Sequence, residues 1–153
     1  MDALIEKLRQ EWLRQRLVVG SGVSEQALAQ FESEHRVVLP ADFRQYLSVL
    51  NGLPDTGSDD NFIFFWSLER INSLAKEYPN SIEPGADCYF IFADWSISCH
   101  DYVIRLSNDT NVTTPIFVTY NPVQQIASSF SEFIERYLKD DQELLFPQPT
   151  KSN

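Results

Sequence analysis

Histidine and cysteine are scarce: the chain holds two of each among 153 residues. His35 and His100 sit in no His-x-x-x-His setting, and Cys88 and Cys99 form no Cys-x-x-Cys pair, so no metal site is expected. Two cysteines also fall short of a disulfide framework. The five glycines make no Walker loop or dinucleotide fingerprint, and no nucleophile elbow is present. No stretch approaches the roughly 20 apolar residues that span a bilayer. The opening "MDALIEKLRQEWLRQRL" is charged throughout, unlike a signal peptide, so the expected location is the cytoplasm. There Asn108-Asp109-Thr110 and Asn111-Val112-Thr113, which fit the glycosylation pattern, read as a polar turn. Positive charge is short as well: 12 Lys and Arg face 22 Asp and Glu, a formal net charge of -10. Such a surface repels nucleic-acid phosphate and anionic lipid, and it speeds encounter with a basic partner.

What the chain does hold is apolar and aromatic. Hydrophobic residues make up 43%, with eleven Phe, six Tyr and three Trp, enough to bury a core in one domain. Leu4, Ile5, Leu8 and Trp12 recur at helical spacing and predict a helix over 2–17, with Asp2 as its N-cap. Ser24 is placed to cap a second helix whose Leu28 and Phe31 face the core. In "VVLPADFRQYLSVLNG", Pro40 opens a helix carrying Phe43, Tyr46, Leu47 and Leu50, and Asn51-Gly52 supplies a left-handed stop.

An acidic loop, "LPDTGSDDN", leads into "FIFFW", which reads as a buried strand. Ser67 would then cap a short helix bearing Leu68, Ile71, Leu74 and Tyr78, ended by Pro79. Apolar runs at 88–95, 101–106 and 115–120 predict further strands. Ser129 and Glu132 form a capping box for a helix with Phe130, Phe133, Ile134, Tyr137 and Leu138 on one side. Helices, then strands, then a helix is the order of an α+β domain, with helices packed on a largely antiparallel or mixed sheet. The expected domain is 1–140, and 141–153 is expected to be a polar tail with loose last residues.

The stretch with the most chemistry is "FADWSISCHDY", residues 92–102, with two Asp, two Ser, a Cys and a His. In an extended strand Cys99 and His100 point to opposite faces, which spoils a Cys–His pair. If the chain turns back at Ser96–Ser98, the polar residues are a hairpin connection. The expectation is Trp95 and Cys99 in the core, with Asp94 and His100 toward solvent. Asp55, Asp59 and Asp60 lack the ligand spacing of an EF-hand. "FIFFW" and "CYFIF" carry no interleaved Lys or Arg for stacking on nucleic-acid bases. No pattern calls for a catalytic residue, a cofactor or a metal, and the chain is read as non-enzymatic.

The order of these motifs resembles the SUKH superfamily, which includes the Smi/Knr cell-wall-assembly regulators and bacterial immunity proteins. Leu39-Pro40, Phe43, Leu47 and Asn51-Gly52 are similar to its most recurrent motif. "YFIFADWSISCHDYVIRLS" is similar to its central strand pair, and "SFSEFIERYL" to its closing helix. The resemblance covers about residues 24–139, with the first helix as an N-terminal extension. It implies a curved sheet with helices against it, no catalytic residue, and protein binding as the function. In bacteria many members of the superfamily neutralise a cognate secreted toxin, often a nuclease. An acidic inhibitor of a phosphate-binding toxin would use Asp55, Asp59, Asp60, Glu69, Asp94 and Asp101 as candidate contacts, on a partner that is itself basic. The alternative is a housekeeping interaction module of the cell-wall-regulator kind. A small enzyme built on Asp94, Cys99 and His100 ranks last.

Overall fold

The computed structural model describes residues 1–55, 57–120 and 122–148. In chain order the elements are α1 (Asp2–Arg14), α2 (Glu25–His35), α3 (Ala41–Val49), β1 (Ile63–Phe65), β2 (Asn72–Ser73) and α4 (Leu74–Glu77). Then follow β3 (Tyr89–Trp95), β4 (His100–Arg105), β5 (Ile116–Val118), β6 (Gln124–Ala127), α5 (Phe130–Leu138) and a 3-10 turn, Gln142–Leu144. The six strands form one sheet in the order β1-β3-β4-β5-β6, with β2 also paired to β3. All pairings are antiparallel, so the α+β expectation holds and no parallel pair is found among the described residues.

Local chemistry starts and stops the helices. The Ser24 hydroxyl accepts from the Ala27 N–H at 3.1 Å, satisfying one of the orphan donors of α2. Pro40 is the N-cap of α3, one residue before the helix, and Phe43, Tyr46, Leu47 and Leu50 are all buried beneath it. Asn51 and Gly52 then turn left-handed, with φ of 52° and 71°. Gly52 is also needed for space, since a Cβ there would meet the Trp66 carbonyl oxygen at 2.5 Å. At α5, Ser129 accepts from the Glu132 N–H at 3.1 Å, while the Glu132 carboxylate takes the Ser128 N–H at 2.7 Å, one residue earlier than in the usual reciprocal box. Asp2 lies inside the first turn of α1, and Met1 holds the cap position with no side-chain bond.

The segment after β1 departs from expectation. Ser67 starts a single turn, closed by Ile71 N–H to the Ser67 carbonyl at 3.1 Å, after which the chain extends as β2. Ser73, not Ser67, caps the short α4. Leu68, Ile71 and Leu74 are buried either way, because a turn, a two-residue strand and a helical turn can place them inward as one helix would.

α3 and α5 cover one face of the sheet. Phe43, Phe92, Phe130 and Phe133 interlock there, with ring centroids 4.9 Å (Phe43–Phe130) to 6.4 Å (Phe130–Phe133) apart. α1 lies against α5. Its fully buried Trp12 donates from Nε1 to the Tyr137 hydroxyl at 3.3 Å, and that hydroxyl donates to Asp59 Oδ2 at 2.7 Å. Asp59 Oδ1 in turn accepts the Asn61 and Ile63 N–H groups at 2.9 and 2.7 Å. One carboxylate therefore ties the loop before β1 to both the first and the last helix. Residues 142–147 also join the fold: Leu144, Leu145 and Pro147 are buried, and the Tyr102 hydroxyl donates to the Leu144 carbonyl at 2.6 Å. The expected polar tail begins only beyond them, and the expected loose end at 149–153 lies outside the described residues. Among the described residues no helix is long and apolar enough to cross a membrane.

Candidate protein-interaction site

The β3–β4 hairpin brings the chemically dense stretch to one end of the sheet. Trp95 and His100 are paired, and residues 96–99 make the turn between them. Ser96, Ile97 and Ser98 all have positive φ, at 51°, 58° and 59°. Three consecutive left-handed residues are unusual for L-amino acids, above all for a β-branched one, because each Cβ crowds the following carbonyl. The result lifts Ile97 into solvent, 84% exposed. Beside it, Phe62 also has a positive φ of 64°, is 62% exposed, and accepts the Ser96 N–H at its carbonyl, 2.9 Å away. Phe146, 55% exposed, stands with its ring centroid 5.4 Å from that of Trp95. Phe62, Ile97 and Phe146 thus make an exposed apolar tip on neighbouring loops, a feature of binding surfaces.

Exposed carboxylates lie on the same loops as this tip. Asp60 is exposed next to Phe62, and Asn61 Nδ2 donates to Asp140 Oδ1 at 3.3 Å, which draws that exposed acid to the same loop. Glu143, also exposed, lies three residues before Phe146 and pairs with Arg136 at 3.3 Å. Of the acids expected to meet a partner, Asp55 and Asp60 are exposed on the loop before β1, and Glu69 is exposed on the turn after it. Its own backbone N–H holds the Glu69 carboxyl below the usual carboxylate range.

Asp59, Asp94 and Asp101 are only 3%, 2% and 3% exposed, which corrects their reading as free surface acids. Asp59 is the structural tie already described, and burial raises its pKa. Asp94 and Asp101 are directly opposed across β3 and β4. A bulge between Ile91 and Ala93 shifts the alternation by one residue, turning Asp94 away from the face that Phe92 shares with the helices. Two buried like charges at this spacing repel, and the surroundings divide them. Asp94 accepts Trp66 Nε1 at 2.6 Å and the Ser98 N–H at 2.8 Å, and pairs with Arg70 at 3.9 Å. Arg70 is held over the Trp66 ring, 4.0 Å from its centroid. Among the described residues Asp101 receives only the Tyr78 hydroxyl, at 2.9 Å on Oδ2; its Oδ1 is buried and has no partner among them. Burial, first, pushes the Asp101 carboxyl up to about 6.

His100 is likewise buried, 4% exposed, and Cys99 is exposed, the reverse of the sequence expectation. The His100 ring stacks on Trp95 with centroids 5.1 Å apart, and Nε2 lies 3.2 Å from the Tyr102 hydroxyl. Because that hydroxyl gives its proton to Leu144, it accepts from His100, which assigns the neutral ring its proton on Nε2. Burial pulls the His100 pKa down to about 4. The Cys99 thiol turns to the Ser96 carbonyl at 3.2 Å. Asp94, Cys99 and His100 therefore make no hydrogen-bonded relay among the described residues, where no group of three His, Cys, Asp or Glu is placed to hold a metal either. Phe62 opens the run "FIFFW" that reads as a buried strand, but β1 begins at Ile63 and Phe62 stands outside it, exposed. Phe62 and Phe146 both sit in apolar runs, so only Ile97, between two serines, carries a local signal of exposure.

A family model described as SMI1 / KNR4 family (SUKH-1) matches residues 22–136, well over half of the chain. No curated protein matches it.

Proposed function

We propose a function from one premise: the chain belongs to the SMI1 / KNR4 family (SUKH-1), which makes it, at family level, a protein-interaction module. It acts as an immunity protein, binding a basic toxin domain of its own cell and covering that toxin's active site. The observation that carries this reading is the apolar tip of Phe62, Ile97 and Phe146 set among exposed carboxylates, in a chain of net charge -10. Apolar anchors at the centre of an interface supply affinity, while rim charges of the opposite sign to the partner raise the encounter rate. A nuclease toxin, basic because it holds phosphate, fits that surface. Asp55, Asp60 and Glu69 remain its proposed acidic contacts. The three buried aspartates shape the site from within.

The test is co-expression with the protein encoded beside it in its genome. Rescue of growth and co-purification are expected, both lost in a Phe62→Asp, Ile97→Asp double variant that keeps the parent's melting temperature. No rescue and no complex would sink the immunity reading. A complex with a housekeeping protein instead would assign the regulatory role.

A further inference from the structure

An open cleft of about 690 Å³ lies between α4 with the loop after it and the ends of β4 and β5. Its walls include Glu77, Tyr78, Glu83, His100, Asp101 and Tyr120. Three of these are carboxylates, and no Lys or Arg lines the cleft among the described residues. The one basic ring, His100, stays neutral near pH 7. Tyr78 and Tyr120 are 39% and 45% exposed, so both offer ring surface at the cleft.

The second observation is Asp101 itself. Its side chain is buried on the cleft wall, Tyr78 satisfies Oδ2, and Oδ1 has no donor among the described residues. A buried acceptor left unmade is costly, and more so when charged, so such an atom marks a place where a donor is expected. Arg70 does not fill the role, since it sits on Asp94 and Trp66. A cleft with carboxylates, exposed phenol rings and an open buried acceptor has the chemistry of a site for a guanidinium or ammonium group.

We infer that this cleft receives an arginine side chain of the partner protein, its guanidinium donating to Asp101 Oδ1 between Tyr78 and Tyr120. Arginine is favoured over lysine because a planar fork can stack on the phenol rings while donating in its own plane. The volume exceeds that of one guanidinium and leaves room for the carbon stem and part of the partner's backbone. Tyr78, just past the end of α4, must shift for the guanidinium to reach Oδ1. The inference rests on the protein-binding reading above and names the chemistry that the partner must present.

Agmatine, an arginine side chain without its backbone, is the probe. Titrated into the full ¹⁵N-labelled chain at pH 7, it should move the amides of Asp101, Thr119 and Tyr120 saturably, with a Kd on the order of millimolar. Asp101→Asn should weaken binding at least tenfold, and Tyr120→Ala several-fold; N-butylurea, neutral and similar in size, should leave the amides unmoved. Shifts confined to Asp60 and Asp140, or a titration unchanged in both variants, would overturn the inference. Because no partner is present, failure here leaves the tip of Phe62 and Ile97 untouched. A failed co-expression would equally leave a positive agmatine titration standing.

Discussion

Replacing Ile97 should make the protein more stable and less able to bind. Ile97 sits at φ 58° between two more left-handed residues, with 84% of its surface exposed. A left-handed L-residue costs roughly 1–2 kcal/mol, and a β-branched one sits at the upper end. Ile97→Gly removes that cost but adds back roughly 0.5–1 kcal/mol of unfolded-chain entropy. Little burial is lost from so exposed a side chain. The expected net gain is about 1–1.5 kcal/mol, or a rise in Tm of roughly 2–6 °C for a domain of this size. Ile97→Asn, which tolerates the left-handed region without glycine's freedom, should gain at least as much. Urea and thermal unfolding measure both variants, and affinity for the partner is read alongside. A loss of stability above about 0.5 kcal/mol in both would show that the side chain packs, and the strain argument would fail. Raised stability with unchanged affinity would remove Ile97 from the binding surface.

Three further outcomes follow, two from the interior and one from the surface. Tyr137→Phe removes the donor to the Asp59 carboxylate and the acceptor of Trp12 Nε1, and should cost about 1.5–3 kcal/mol by urea unfolding. The pH dependence combines two opposed groups. Asp101, raised to about 6, binds its proton more tightly when folded, so its contribution weakens stability as pH rises from about 4 to 6. His100, lowered to about 4, takes its proton first when unfolded, so its contribution is lost as pH falls from about 6.5 to 4. Asp101 answers to Asp94, Glu77, Arg70 and Tyr78 around it, and Asp101→Asn removes its part alone. Relative to the parent, that variant should lose stability on acidification from pH 6 to 4 with an added slope approaching about 1.4 kcal/mol per pH unit. An identical pH profile would contradict the raised carboxyl. Cys88 and Cys99 are both exposed, but only Cys99 lines the cleft beside the hairpin. Bound partner should therefore slow iodoacetamide labelling of Cys99 while Cys88 reacts at its free rate, as peptide mass mapping would reveal.

Features set by neighbouring residues were legible in the sequence. Ser24, Pro40, Asn51-Gly52 and Ser129 act within a turn of themselves, and each works at the helix boundary it marks. The Asp94–His100 region was misread for a nonlocal reason. Alternation predicts burial only if one face is wet and the phase is unbroken, whereas here both faces are covered and a bulge shifts the phase at Ala93. Asp94 is held inside by Trp66, 28 residues away, together with Arg70 and the Ser98 N–H, and no local pattern announces the tryptophan. β6 was missed because "QQIA" has two polar residues and one strong strand former. The acidic character of the surface was readable from composition, but which acids compose it depended on burial, and half of the six expected contacts proved to be inside.

The tie from Trp12 through Tyr137 to Asp59 also bears on the order in which the molecule assembles. Its two links join residues 125 and 78 positions apart. The β3–β4 hairpin closes across a turn of only four residues, 96–99. Closure entropy grows with separation, adding about 0.6 kcal/mol per doubling, so the hairpin has a head start and α1 docks late. Pulsed hydrogen exchange should accordingly protect β3 and β4 amides before those of α1. Until α1 arrives, Ile5, Leu8 and Trp12 on one side and the Phe65–Tyr137 face on the other stay wet and adhesive. Residues 22–136, the segment matched to the family, omit both Trp12 and Tyr137. A fragment cut there would stop at this unfinished stage, with a tryptophan-sized gap and a tendency to aggregate in place of the closed molecule.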